Sequence, residues 1–269
     1  MNPIISSVSA VSAIGLVCAI MLTIVSKLMD VPVDERVAKI RDLLPGANCG
    51  ACGFAGCDGY SEALVNDGAK TNMCTPGGDN ASRGISEILG VDFEDVIEQV
   101  AVCHCVGANG VAVRKMEYEG IETCAAVKLQ YSGVNACPYS CIGFGDCAKV
   151  CPNDAICIED GIARINTRKC LGCGVCVKTC PNHLIRVYDD TIKVLVTCAS
   201  HERGATVRKL CTAGCIACGK CAKECPREAI TMDNNLAVID YEKCNGCGHC
   251  AEACPTKAIH AADFAGALN

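Results

Sequence analysis

Cys215-Ile-Ala-Cys218-Gly-Lys-Cys221-Ala-Lys-Glu-Cys225-Pro226, followed by Cys244-Asn-Gly-Cys247-Gly-His-Cys250-Ala-Glu-Ala-Cys254-Pro255, decides how this chain folds. Each half reads C-x2-C-x2-C-x3-C-P, a spacing that holds iron–sulfur cubes. Three thiolates of one run wrap a cube, and the turn at the proline carries the last Cys away to ligate the other cube. The two halves therefore work only as a pair. Cys215, Cys218, Cys221 and Cys254 form one [4Fe–4S] ligand set, and Cys244, Cys247, Cys250 and Cys225 form the other. A zinc ion closes tetrahedrally on its ligands, usually from two separated C-x2-C pairs. Three Cys in one run fit it poorly.

Upstream the pattern recurs. Cys170-x2-Cys173-x2-Cys176-x3-Cys180-Pro181 is regular, whereas Cys137-x3-Cys141-x5-Cys147-x3-Cys151-Pro152 is altered, with Phe144 at the position of the second Cys. Cys137 is expected to supply the missing thiolate. Crossed pairing then gives one set of Cys137, Cys141, Cys147 and Cys180, and another of Cys170, Cys173, Cys176 and Cys151. Cys151 to Cys180 and Cys225 to Cys254 are both 29 residues apart, which marks an internal repeat. After the prolines the chain enters short apolar strands at Ala155-Ile156, Leu184-Ile185, Ala229-Ile230 and Ala258-Ile259. Hairpins are expected over 156–165 around Asp160-Gly161 and over 230–239 around Asn234-Asn235. The pattern predicts two tandem ferredoxin-like modules of two [4Fe–4S] sites each, at residues 136–190 and 211–269.

A different cysteine pattern precedes them. Cys49, Cys52, Cys57 and Cys74 are spaced C-x2-C-x4-C-x16-C, with glycines between that let backbone N–H groups face the sulfurs. A small α-rich [4Fe–4S] domain is expected over residues 29–80, with a short amphipathic helix over 33–44 ended by Pro45-Gly46. The regular glycines do not make a dinucleotide fingerprint, because no strand precedes them, and the chain has no G-x4-G-K-[ST] phosphate loop. No NAD or flavin site of its own is expected.

Ile4 to Val25 is a run of 22 residues without charge. About 20 apolar residues span a bilayer as a helix, so residues 1–28 are read as a single-pass anchor. A cleaved signal peptide would begin with a cationic segment, and Met-Asn-Pro-Ile-Ile has none. Lys27, Arg36, Lys39 and Arg41 follow the run, with no Lys or Arg before it, which places the bulk of the chain on the cytoplasmic side of the cell membrane. Ser9, Ser12, Ala13, Gly15 and Ala19 would let neighbouring helices approach closely, suiting membrane partners.

Seven Cys remain outside these five sites: Cys18, Cys103, Cys105, Cys124, Cys157, Cys198 and Cys211. Connectors at residues 81–135 and 191–210 each carry a Val-rich strand ending in Cys, at Val100–Cys105 and Val194–Cys198. A possible sixth site is read from Cys105, Cys124, Cys198 and Cys211, because four soft thiolates select iron–sulfur or zinc. Cys18 and Cys157 are read as packing residues. The five His and the rest of the chain form no nucleophile–base arrangement.

Twenty-seven Cys in 269 residues set the class. The count is odd and the spacings are those of cluster ligands, so the thiols belong in a reducing compartment rather than in a disulfide scaffold. With no Trp and 4% aromatics, an ordinary aromatic core is excluded, and cluster binding is expected to drive folding. The net charge of −6 argues against nucleic acid as a partner. The fold class is α+β.

The order of these motifs resembles the B subunit of the Rnf complex, in its longer multi-cluster form. The Cys49-Gly-Ala-Cys52-Gly-Phe-Ala-Gly-Cys57 segment after an apolar helix is the most specific part of the likeness, which covers essentially the whole chain. The resemblance implies a membrane complex that oxidises reduced ferredoxin, reduces NAD+ and translocates Na+ or H+. It implies soluble ferredoxin and the other membrane and peripheral subunits as partners, with the nucleotide and flavin sites elsewhere. A polyferredoxin subunit of another membrane redox complex, such as a hydrogenase, is the alternative; an iron–sulfur store or sensor would not need so many paired modules. Arg203, Arg208, Lys209, Lys220, Lys223 and Arg227 form a basic set suited to an acidic carrier, interleaved with Glu202, Glu224 and Glu228.

Overall fold

The computed structural model describes residues 3–28, 34–262 and 264, with side chains in the first stretch given for residues 11–26. Helix α1 runs Pro3–Leu28, and its described apolar side chains, such as Val11 and Leu22, are exposed. Residues 11–26 rise about 24 Å at 1.5 Å per residue. Among the described residues no helix is long and apolar enough to cross a membrane, whose hydrocarbon core is about 30 Å thick. Residues 1, 2 and 29–33 lie outside the described residues, including Val33 at the start of the expected amphipathic helix.

Three helices build the next unit: α2 (Glu35–Leu43), α3 (Gly56–Asn66) and α4 (Gly78–Leu89). Asp34 starts α2 by accepting from Arg36 N at 2.9 Å, and Arg41 ties α2 to α3 through Asp58 at 2.6 Å. The core is Ile40, Tyr60, Leu64 and Ile85, closed by Cys57 and Cys74. The Tyr60 hydroxyl donates to Lys70 O at 2.7 Å and accepts from Met73 N at 3.3 Å, holding the loop that delivers Cys74. Ile85 is wholly buried in this small core. Ile85→Ala is expected to cost about 2–5 kcal/mol, read as a lowered urea midpoint of the iron-loaded protein. Beyond Leu89 the chain is not helical through residue 98.

The rest of the chain is built twice. The first copy holds β1 (Gln99–Cys103), α5 (Cys124–Tyr131), α6 (Asp146–Lys149), β2 (Ile156–Glu159), β3 (Ile162–Ile165), α7 (Val175–Thr179) and β4 (Ile185–Asp189). The second holds β5 (Val194–Val196), α8 (Gly204–Leu210), α9 (Lys220–Lys223), β6 (Ile230–Asp233), β7 (Leu236–Ile239), α10 (His249–Ala253) and β8 (Ile259–Ala261). In each copy the strand before the motifs pairs antiparallel with the strand after them, Cys103 opposite Ile185 and Val196 opposite Ile259. The hairpins β2–β3 and β6–β7 lie between the motifs. Asp160 and Gly161 have φ of 49° and 76°, and Asn234 and Asn235 have 42° and 63°. Positive φ at both central residues is the two-residue hairpin geometry that Asp, Asn and Gly tolerate.

The copies also hold each other. Val113 N donates to Leu210 O at 2.8 Å and Thr212 N to Val111 O at 3.1 Å. His104, buried at the end of β1, reaches the Val196 carbonyl of the other copy with Nδ1 at 2.6 Å. A carbonyl only accepts, so Nδ1 carries the proton and Nε2 accepts from the Tyr188 hydroxyl at 2.9 Å. Burial pushes the His104 pKa down to about 4, keeping this link neutral.

Candidate metal centres

The first centre forms where the loop between α2 and α3 turns back on itself. Asn48, at φ 46°, accepts from Cys57 N at 2.9 Å through its side-chain oxygen. Gly56 sits at φ +85°, and a Cβ there would come 2.9 Å from that oxygen, so only glycine suits this turn. Cys57 is thereby fixed on the first turn of α3, and Cys74 precedes the 3-10 turn Thr75–Gly77. Burial pushes the Cys74 thiol up to about 11, and the neighbouring Cys52, Cys57 and Cys49 add to the effect. All four expected cysteines are brought together here.

In the repeated copies the third Cys of each motif, Cys147, Cys176, Cys221 or Cys250, is buried on a one-turn helix. A glycine with φ between 69° and 83° starts each of these helices. Cys215, Cys218 and Cys221 line one cavity together with Cys254 from the other motif. Cys176 lies beside Cys170, Cys173 and Cys151, whose charges add to the burial that pushes its thiol up to about 12. Cys250 is raised first by burial and then by Cys244 and Cys225 beside it. The cysteine after each one-turn helix receives the N–H four residues on: Ala155 to Cys151, Leu184 to Cys180, Ala229 to Cys225 and Ala258 to Cys254, at 3.3–3.4 Å. Ala101 N likewise donates to Cys170 Sγ at 3.3 Å. Backbone N–H groups aimed at sulfur stabilise the negative charge of cluster thiolates, so the donor set fits [4Fe–4S] groups. Among the described residues no three His, Cys, Asp or Glu converge tightly enough to share a single metal ion. Zinc would need its ligands at about 2.3 Å, whereas here the cysteines ring cavities.

The altered site departs from expectation. Its cavity is lined by Cys141, Cys147 and Cys180, with Cys103 and Cys124 beside them; Cys137 is not among its lining residues. Cys124 is the first residue of α5, whose start is capped by Thr123 and held by Asp146 accepting from Ala125 N at 3.1 Å. Its sulfur receives the backbone N–H groups of Asp146 and Phe144, although burial pushes the thiol up overall. It thus reaches the loop where the regular motif has its second Cys, and Phe144 turns aside onto Tyr118, ring centroids 5.6 Å apart. Cys103 has Val196 at its place in the second copy, where the cavity has four cysteines without it. Its thiol is held well above the ordinary range, first by its hydrogen bond to Cys141 and then by burial.

A further cavity between the copies is lined by Cys105, Cys137, Cys198 and Cys211. Three of the four cysteines expected for an extra site are here, with Cys137 standing where Cys124 was expected. Cys18 and Cys157 are exposed, with the Cys157 thiol 3.3 Å from Glu159 Oε1.

The pattern of centres agrees with known families. Residues 44–76 match a putative Fe-S cluster family, 134–191 an LdpA Fe-S cluster-binding domain, and 169–230 and 214–258 two 4Fe-4S dicluster domains. The chain is 42% identical over 91% of its length to the B subunit of the proton-translocating ferredoxin:NAD(+) oxidoreductase complex of Clostridium ljungdahlii, covering 87% of that protein. It is 38% identical over 91% to the Na(+)-translocating counterpart of Acetobacterium woodii, covering 74% of it. It is also 38% identical over 90% to the B subunit of the ion-translocating oxidoreductase complex of Methanosarcina acetivorans, covering 92% of it. The chain belongs to the family of Rnf complex B subunits. It is therefore an iron–sulfur subunit of the ferredoxin:NAD+ oxidoreductase type, built of tandem 4Fe-4S dicluster domains, and its relatives work in multi-subunit complexes. The relatives' names divide between sodium and proton, so Rnf membership does not fix the ion.

Proposed function

We propose that this chain is the membrane-anchored subunit that accepts electrons from reduced ferredoxin on the cytoplasmic side and passes them to the other subunits of an Rnf-type complex, where NAD+ is reduced and Na+ or H+ translocated. Five ligand sets carry the reading: Cys49, Cys52, Cys57 and Cys74; Cys170, Cys173, Cys176 and Cys151; Cys141, Cys147 and Cys180 with Cys124; Cys215, Cys218, Cys221 and Cys254; and Cys244, Cys247, Cys250 and Cys225. When bound, [4Fe–4S] groups supply one-electron transfer, at potentials tuned by burial and hydrogen bonds to sulfur.

The observation that supports this best is contiguity. Cys49 lies close enough to Cys173 for its charge to act on it, and Lys178 Nζ reaches Cys49 O at 3.2 Å, so the α-rich unit sits against the first copy. The apolar helix α1 with its exposed side chains supports the anchor. The test is anaerobic purification of the complex, with iron counted per chain and ferredoxin:NAD+ activity assayed with and without Na+. Co-purification with hydrogenase subunits and no NAD+ reduction would sink the proposal.

Electron input is best assigned to the second copy. Cys218 is exposed there, with exposed Lys220 and Lys223 beside it, whereas the equivalent place in the first copy is covered by Phe144 and Tyr118. Surface charge steers an oppositely charged partner and is screened by salt. Lys220→Glu with Lys223→Glu is expected to raise the KM for ferredoxin about tenfold at low salt, leave kcat unchanged and flatten the salt dependence. Unchanged salt dependence would move the docking site elsewhere.

A further inference from the structure

We propose that Cys105, Cys137, Cys198 and Cys211 hold a sixth [4Fe–4S] cluster, bridging the two dicluster copies. This rests on reading the chain as an iron–sulfur electron carrier and goes beyond the five sets above.

The four cysteines come as two equivalent pairs. Cys141 N donates to Cys105 Sγ at 3.3 Å, and Cys215 N donates to Cys198 Sγ at the same distance. Cys137 and Cys211 each stand four residues before those donors. Each copy therefore offers the same half-site, a thiol at the end of its first strand and a thiol before its first motif. The stretches 111–113 and 210–212 bind to each other and close the halves face to face. The result is one cavity lined by four thiols, two from each copy.

The surroundings are those of cluster ligands. Cys105 also receives the Gly107 N–H, Cys198 receives Ser200 N at 3.5 Å, and Cys137 receives Tyr139 N and the buried Ser200 hydroxyl. Idle thiols do not need so many donors, whereas thiolates sharing an anionic cluster do. Gly107 lines the cavity, and a Cβ there would meet Ala112 Cβ at 3.1 Å and touch Cys105 Sγ and Cys211 Sγ at 3.6 Å. The same two N–H···S contacts join this cavity to its neighbours: Cys141 belongs to the centre on one side and Cys215 to the centre on the other. Without this centre, the two copies would exchange electrons across a gap lined by four unused thiols.

The test is iron and zinc per chain in the anaerobically purified complex, with Mössbauer spectra of the same samples. Six clusters give about 24 irons. Cys105→Ser, Cys137→Ser, Cys198→Ser and Cys211→Ser are each expected to lose about four irons, and the fourfold variant no more than one of them. Gly107→Val, which removes no thiol, is expected to lose the same cluster and guards against a misfolded serine variant. Cys157→Ser should lose none. A wild-type count of about 20 irons, kept by the fourfold variant and by Gly107→Val, would overturn the sixth cluster while leaving the five-centre reading standing. Zinc at one per chain in place of those four irons would also overturn it. Iron far below 20 in the wild type would overturn the five-centre reading itself.

Discussion

Cys254→Ser is expected to abolish ferredoxin-dependent NAD+ reduction and to remove about four irons, and the missing cluster should be that of the other motif. Cys254 closes the cavity lined by Cys215, Cys218 and Cys221, with its sulfur fixed by Ala258 N at 3.3 Å. The diagnostic is additivity. Cys215→Ser/Cys254→Ser should lose no more iron than Cys254→Ser alone, because both changes empty one site. Cys244→Ser/Cys254→Ser should lose about eight irons, because they empty two. If each motif kept its own cluster, the additive and non-additive pairs would be exchanged. Structural damage should accompany the loss of iron. The buried core of this copy consists of Val194, Val196, Ile230, Leu236, Ile239 and Ile259 with a few alanines, closed by its own cysteines. So small an apolar core leaves much of the stability to metal binding, as in other metal-organised domains. Hydrogen exchange in β6–β7 should quicken in the same variant.

Cys124→Ser is expected to lose about four irons, and adding Phe144→Cys should restore them. Phe144 occupies the motif position that holds Cys218 in the second copy. A thiol placed there would complete Cys141, Cys147 and Cys180 without help from α5. The change gives up the edge contact of Phe144 with Tyr118, a loss of about 1 kcal/mol, which cluster binding outweighs. Phe144→Cys should not rescue Cys137→Ser, whose thiol lines the cavity between the copies. Iron counts on the three variants decide the matter, and rescue of Cys137→Ser would return Cys137 to the altered motif.

These exchanges show where the sequence was legible. The crossed grouping of Cys215 with Cys254 follows from local spacing, because the proline turn fixes where the fourth thiol goes. The hairpins were readable from Asp160-Gly161 and Asn234-Asn235, since two residues of positive φ leave few candidates. Thiols delivered to a cavity by a separate element were not. Cys124 reaches its cavity on a helix held by Asp146, a contact 21 residues apart in sequence, and spacing alone favoured the nearer Cys137. The cavity between the copies follows the repeat. Cys211 is the echo of Cys137 and Cys198 of Cys105, so a symmetric site draws on those four, and Cys124 has no counterpart in the second copy. The anchor is proposed from the apolar composition of α1 and the exposure of its described side chains.

The bond from the His104 ring to the Val196 carbonyl has a kinetic consequence. It joins the two copies through a buried, uncharged contact that neither salt nor physiological acidity loosens. Carriers that deliver electrons by swinging one domain toward another wait on diffusion and slow down in viscous solvent. Here the two halves are already docked through that contact, so the electron transfer proposed across their junction is expected to keep its rate when solvent viscosity is raised.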